Sequence, residues 1–158
     1  MLKHILIPLD GSLLAERAIE AAKTILRPQG KITLVTAIHD GQAPTPETSA
    51  SGENPVEQLQ SYLERIATNL KLNGYEAAVE IREGEPPSVI TELATILGVD
   101  VIAMCTHGRS GLSRLFAGSV TSEVLNLTPC PVLVIPNRER ERVKEEAMEG
   151  SVSPSLAD

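Results

Sequence analysis

Aromatic side chains are almost missing from this chain. Phe, Tyr and Trp make up 2% of its 158 residues, and there is no tryptophan. Stacking platforms for single-stranded nucleic acid are thereby excluded. Basic charge is also short: 14 Lys and Arg against 21 Asp and Glu leave a net charge of -7, which argues against extended contacts along a phosphate backbone. Cysteine occurs only at Cys105 and Cys130, too few for a disulfide framework or a cysteine-ligated metal cluster. No apolar run approaches the roughly 20 residues of a membrane helix. The opening Met-Leu-Lys-His-Ile-Leu-Ile-Pro-Leu-Asp has no signal-peptide layout. The nucleotide fingerprints G-x-x-x-x-G-K-[ST] and G-x-G-x-x-G are both missing. These absences point to a soluble, cytoplasmic protein with neither nucleic acid nor membrane as a partner.

What is present is aliphatic. Hydrophobic residues make up 42%, and the length suits one domain with a proper core. Apolar runs at 5–9, 32–38, 77–82, 101–105 and 131–136 predict strands. Between them, three sets of apolar residues recur at helical spacing: Ala15, Ala18, Ile19, Ala22, Ile25 and Leu26; Val56, Leu59, Leu63, Ile66 and Leu70; Val89, Ile90, Leu93, Ala94 and Leu97. A fourth helix is expected over 118–127. Pro28-Gln29-Gly30 should stop the first helix and Asn73-Gly74 the second. Residues 39–55, rich in Gly, Pro, Ser, Thr and acids, read as a mobile loop. The alternation predicts an α/β fold: an open five-stranded parallel sheet with helices on both faces, Rossmann-like. Residues 1–137 carry this domain, and 138–158 predict a charged, flexible C-terminal tail.

Ligands of such sheets bind beyond the carboxyl ends of the strands. Two strand tips carry chemistry, Pro8-Leu9-Asp10-Gly11-Ser12 and Met104-Cys105-Thr106-His107-Gly108. The second leads into a stretch with no Asp or Glu between Asp100 and Glu123, where His107, Arg109 and Arg114 lie. Gly108, Gly111 and Gly118 can bare backbone N–H groups, and a helix N-terminus near Ser119 attracts anions. On spacing alone this is either a phosphate site or a surface loop with two solvated arginines. Asp10 is either an acceptor for ribose hydroxyls or a metal-bound water, or a turn residue capping a helix in Asp-Gly-Ser. Cys105 is either a redox-sensing thiol or a packed, inert one; Cys130 reads as packing. His107 suits a turn, and His4 and His39 are structural or solvent-facing. No catalytic residue is assigned, because no partnered nucleophile or base is visible.

Four stretches together resemble the universal stress protein family. They are Ile-Leu-Ile-Pro-Leu-Asp-Gly-Ser at the N-terminus, Thr-His-Gly-Arg-Ser-Gly-Leu-Ser-Arg near residue 110, Gly-Ser-Val at 118–120, and Cys-Pro-Val-Leu-Val-Ile-Pro near the end. The likeness runs in order and spacing over residues 1 to about 137. ATP-binding members carry G-x-x-G-(nine residues)-G-[ST]; here Cys105 stands at the first glycine, Gly108 is the second, and Gly118-Ser119 closes the pattern. The resemblance implies strand order 3-2-1-4-5, the adenine nucleotide alpha hydrolase-like arrangement. It implies ATP, with Mg²⁺ or Mn²⁺ carried on its phosphates and not by protein ligands. Pro8, Leu9 and Asp10 would meet the nucleotide, with Asp10 on the ribose side, and main chain near Ala37 would meet adenine. Met104, Cys105 and Gly108, beside Arg109, would line the ribose and phosphates, and Gly118, Ser119 and Val120 would hold the phosphate tail. The resemblance also implies a homodimer through the Val132–Ile135 strand and at most slow ATP hydrolysis. The expected function is a nucleotide-responsive regulatory or signalling dimer of the stress response, acting on an unknown protein partner. The alternative is a non-nucleotide-binding adaptor dimer, with Cys105 in place of the first motif glycine.

Overall fold

The computed structural model describes residues 1–48, 54–106 and 119–136. In chain order they form β1 (Leu2–Pro8), α1 (Leu13–Ile25), β2 (Leu26–Ile38), α2 (Pro55–Leu72), β3 (Glu76–Glu83), α3 (Pro86–Leu97), β4 (Val101–Cys105), α4 (Ser119–Leu127) and β5 (Val132–Ile135). All neighbouring strands pair in parallel, in the order β3-β2-β1-β4-β5, as the resemblance implied.

The burial of alternate residues explains the apolar runs. Ile5 and Ile7 of β1, with Ile32, Leu34 and Ala103, face α1 and α2. Leu6, Val35, Ile102 and Met104 face α3 and α4 on the other side. Successive strand residues point to opposite faces, so a sheet covered on both sides needs an apolar residue at every position. Ala15, Ala18 and Ala22 keep the inner face of α1 small, which lets the helix settle close to the sheet. Leu34, Leu59 and Leu63 are fully buried, and truncating a leucine of this kind to alanine costs about 2–5 kcal/mol.

Local signals set most helix ends. Asn54 accepts from Val56 N at 2.9 Å ahead of Pro55, a favourable first helical residue. Gly98 closes α3 in the left-handed region at φ 59°. The end of α1 departs from expectation. The helix stops at Ile25, and Leu26 already pairs with Leu2 in the sheet. The register then jumps, His4 pairing with Lys31, so Pro28-Gln29-Gly30 is looped out within β2 and does not separate helix from strand. The cause is packing: Leu26 is buried, and a Cβ on Gly30 would lie 2.5 Å from the Leu26 Cγ. Residues 137–158, including the expected tail, lie outside the described residues.

Candidate functional site

From the central β1 the chain winds outward through β2 and β3, then crosses over to β4 and β5. Strand order therefore reverses between β1 and β4, the place where open parallel sheets bind their ligands, in a crevice beyond the carboxyl ends of the strands. The parallel register Ile5↔Val101 and Leu6↔Ile102 brings the tip of β1, at Pro8, and the tip of β4, at Cys105, to the same end of the sheet. The helix α4 joins the parallel strands β4 and β5, so it runs back against them and starts, at Ser119, on the crevice side.

The first tip is a tightly bonded turn. Asp10 Oδ1 accepts from Ser12 N at 3.0 Å and from Ser12 Oγ at 2.5 Å, and Ser12 Oγ in turn accepts from Ala15 N at 3.1 Å. Ser12 is the N-cap of α1, and Asp10 holds that cap in place. The turn-and-cap reading of Asp10 is thus realised, with its carboxylate half-buried at the end of β1.

Beyond this turn β2 continues. The β1 ladder ends at Pro8↔Val35, with Leu9 N donating to Val35 O at 2.8 Å, while β2 pairs with β3 as far as Ile38↔Glu83. Val35 O faces β1, and Ile38 O faces β3, where it accepts from Gly84 N at 2.9 Å. Backbone groups of alternate strand residues point to opposite sides, so the Ala37 N–H and C=O turn toward the crevice past the last β1 pair. The family model now decides identity: the Universal stress protein family matches residues 1–136. The chain belongs to the universal stress protein family.

Relatives agree with this. A putative universal stress protein of Staphylococcus haemolyticus is 34% identical over 148 residues, spanning 87% of this chain and 86% of that one. A solved structure of a hypothetical protein, whose biochemical function was assigned from its structure, matches with TM-score 0.72 at 29% identity, covering 87% of this chain and 97% of that one. A universal stress protein family structure from Arabidopsis thaliana with AMP bound matches with TM-score 0.63 at 19% identity, covering 88% and 94%, and supports the fold.

Within this universal stress protein the expected site residues divide by what they present. Leu9 and Met104 bury their side chains in opposite core layers, and their main chain is turned to neighbouring strands. The Leu9 N–H and C=O are bonded to Val35 and Thr36 of β2, and Met104, in step with Ile102 and Thr106, faces β5. Pro8 is half-buried at the tip of β1, and Val120 packs against the α3 and α4 layer. Cys105 sits at the tip of β4 with its Sγ turned to α1, 3.9 Å from Ala15 O. Burial pushes this thiol above its ordinary range, with a backbone hydrogen bond at Ala18 and the charge of Arg17 acting the other way. That environment fits the packed thiol better than the redox-sensing one. Ser119 is the first residue of α4. His107, Gly108, Arg109, Gly111, Arg114 and Gly118 lie outside the described residues.

Two residues that sequence reasoning passed over also shape the site. Thr36 is buried, and its hydroxyl donates to Leu9 O at 2.8 Å, fixing the end of β1 from β2. A lone polar residue inside an apolar strand run was the available signal. Glu47 lies in the 39–55 connection, yet its carboxylate accepts from Leu13 N at 3.4 Å, at the start of α1. Nothing local to Glu47 marks it.

Proposed function

We propose that this protein binds an adenine nucleotide, ATP with Mg²⁺ or Mn²⁺, in the crevice between β1 and β4, and acts as a nucleotide-responsive regulatory dimer in the cytoplasm. One observation carries the reading. At the point where strand order reverses, β2 overshoots β1 and turns the Ala37 N–H and C=O to the crevice, a donor and an acceptor side by side. Such a pair suits the edge of adenine, which also offers one donor and one acceptor. The half-buried carboxylate of Asp10, one strand along, suits ribose hydroxyls. The glycines Gly108 and Gly118, Arg109, and Ser119 with Val120 at the start of α4 suit the phosphates. On this reading the divalent ion is carried on the phosphates. AMP on the Arabidopsis relative supports the ligand class.

The non-nucleotide adaptor reading rests on Cys105. Its Sγ packs on the first turn of α1, 3.9 Å from Ala15 O, so the thiol that replaces the motif glycine has a packing partner on the protein. In a thermal-shift assay with millimolar MgATP the native protein is stabilised, and Asp10→Ala and Gly118→Val both lose the shift. No shift, with no nucleotide released from freshly purified protein on denaturation, makes the adaptor the better reading.

Dimerisation through Val132–Ile135 has its own test. Pro131 O and Ile135 O accept from Ile102 N and Thr106 N of the β4 side, so by parity Val132 and Val134 turn their N–H groups to the open edge. Val134→Pro removes one outward donor and spares the β4 ladder. Analytical ultracentrifugation should find the native protein a dimer and this variant a folded monomer; an unchanged dimer places the interface elsewhere.

A further inference from the structure

The connection after β2 is bound to the helices on either side of it. Gly11 is buried at φ 83°, and a Cβ there would lie 2.9 Å from Pro46 Cα and 3.2 Å from Thr45 O. Only a glycine lets the segment come this close. Glu47 N donates to Gly11 O at 3.0 Å, and Leu13 N donates to the Glu47 Oε2 at 3.4 Å. One residue on, Arg65 of α2 donates from Nη2 to Thr48 Oγ1 at 2.9 Å. The Arg65 guanidinium lies 5.9 Å from the centre of the Tyr62 ring, and Tyr62 donates its hydroxyl to Glu16 Oε1 of α1 at 2.9 Å. Residues 45–48 thus span from α1 to α2, at the rim of a cleft of about 480 Å³ between the two helices.

We propose that residues 45–48 are a strap that sets the β1–α1 turn, and with it the Asp10 carboxylate, from outside the sheet. Asp10 and Glu47 bring carboxylate oxygens to the consecutive N–H groups of Ser12 and Leu13, and the Ser12 hydroxyl serves Ala15. Three donors at the start of α1 are therefore committed to acceptors of the chain itself, and one of those acceptors, the Glu47 carboxylate, is supplied by the strap. Glu47 is a positioning residue: lifting it off returns the Leu13 N–H to solvent and releases Gly11 O, the carbonyl next to Asp10. Nothing in this depends on the nucleotide reading.

Hydrogen exchange followed by mass spectrometry, on the full chain without ligand, tests the strap. In the native protein the amides of Ser12, Leu13 and Glu47 should exchange at least about tenfold more slowly than in an unstructured peptide. Gly11→Ala drives a methyl into Pro46 and should raise exchange over 45–48 about tenfold. Because that change also strains the backbone at positive φ, Glu47→Ala is the cleaner variant. It should speed Leu13 exchange by roughly threefold or more, and Glu47→Gln, which keeps an acceptor oxygen, should restore the native rate. Peptide-like exchange over 45–48 in the native protein overturns the strap, as does a Glu47→Ala variant in which Leu13 stays fully protected. A failure of ATP to bind would sink the nucleotide reading and leave these ligand-free rates untouched.

Discussion

Two aspartates stand at opposite ends of the sheet and use the same chemistry for different ends. At the amino end Asp100 Oδ2 accepts from Lys3 N at 2.7 Å and His4 N at 2.9 Å, and Asp100 N donates back to His4 O at 2.9 Å. These bonds tie the start of β4 to the start of β1. At the carboxyl end Asp10 also collects an N–H group, that of Ser12, at the point where β1 runs out and β2 continues. A carboxylate that closes a lattice of bonds is structural. One held by such bonds at the carboxyl end is, on the nucleotide reading proposed above, presented to the ribose.

Exchanging each aspartate for alanine should separate the two ends most widely. Asp10→Ala should weaken MgATP binding at least about tenfold, equivalent to about 1.4 kcal/mol. Asp100→Ala should leave MgATP affinity within about twofold while lowering stability by about 1 kcal/mol or less, since its hydrogen bonds are solvent-exposed. Isothermal titration with matched denaturation curves reads both; equal losses of affinity would remove the distinction. Ser12→Ala comes next, with an expected cost near 1 kcal/mol for the lost cap. Combined with Asp10→Ala it should cost less than the sum by roughly 0.5 kcal/mol or more, because both act through one turn. Cys105→Gly restores the first motif glycine. With the thiol packed on α1, it should change MgATP affinity by less than about threefold; a larger gain would mean that the thiol had been obstructing the crevice.

The fold was legible because burial on both faces of the sheet leaves the clearest pattern a sequence can carry. Unbroken runs such as Ile5-Leu6-Ile7 and Val101-Ile102-Ala103 admit few alternatives, and Asn73-Gly74 marks a helix end by local chemistry alone. Leu26 was misread because it fits the helical period of α1 equally well, and only its pairing with Leu2 decides. At the site, the Asp10 tip and its cap in Asp-Gly-Ser were visible as a motif, but the support from Thr36 became visible only with the strands in register. Glu47 was hidden for a stronger reason. It acts across 34 positions of sequence, from a Gly- and Pro-rich segment whose composition says only that it is a loop. Long-range hydrogen bonds from irregular backbone leave no periodic trace.

The smallest expected effect returns to the amino end. His4 Nε2 lies 2.8 Å from Thr33 Oγ1, in the layer beneath α3. Burial, and then the charge of Lys31, hold its imidazole below the ordinary value of 6.5, with Asp100 and Glu76 acting in the opposite direction. The unfolded chain therefore takes up this proton at a higher pH than the folded one does. The stabilising contribution of neutral His4 is complete above about pH 6.5 and is lost as pH falls from there toward the lower folded value. Asp100 follows in a separate, more acidic window. Its carboxyl is pulled below the ordinary 3.8 by the backbone N–H groups of His4 and Lys3, so its contribution is present above that value and is lost as pH falls through the folded one. Thermal unfolding of the native protein should thus weaken in two steps on acidification. His4→Gln, which keeps a polar group near Thr33 but cannot titrate, should flatten the first step and leave the second. If both steps survive in His4→Gln, the upper window belongs to another group, and the amino end is less tightly closed than its hydrogen bonds indicate.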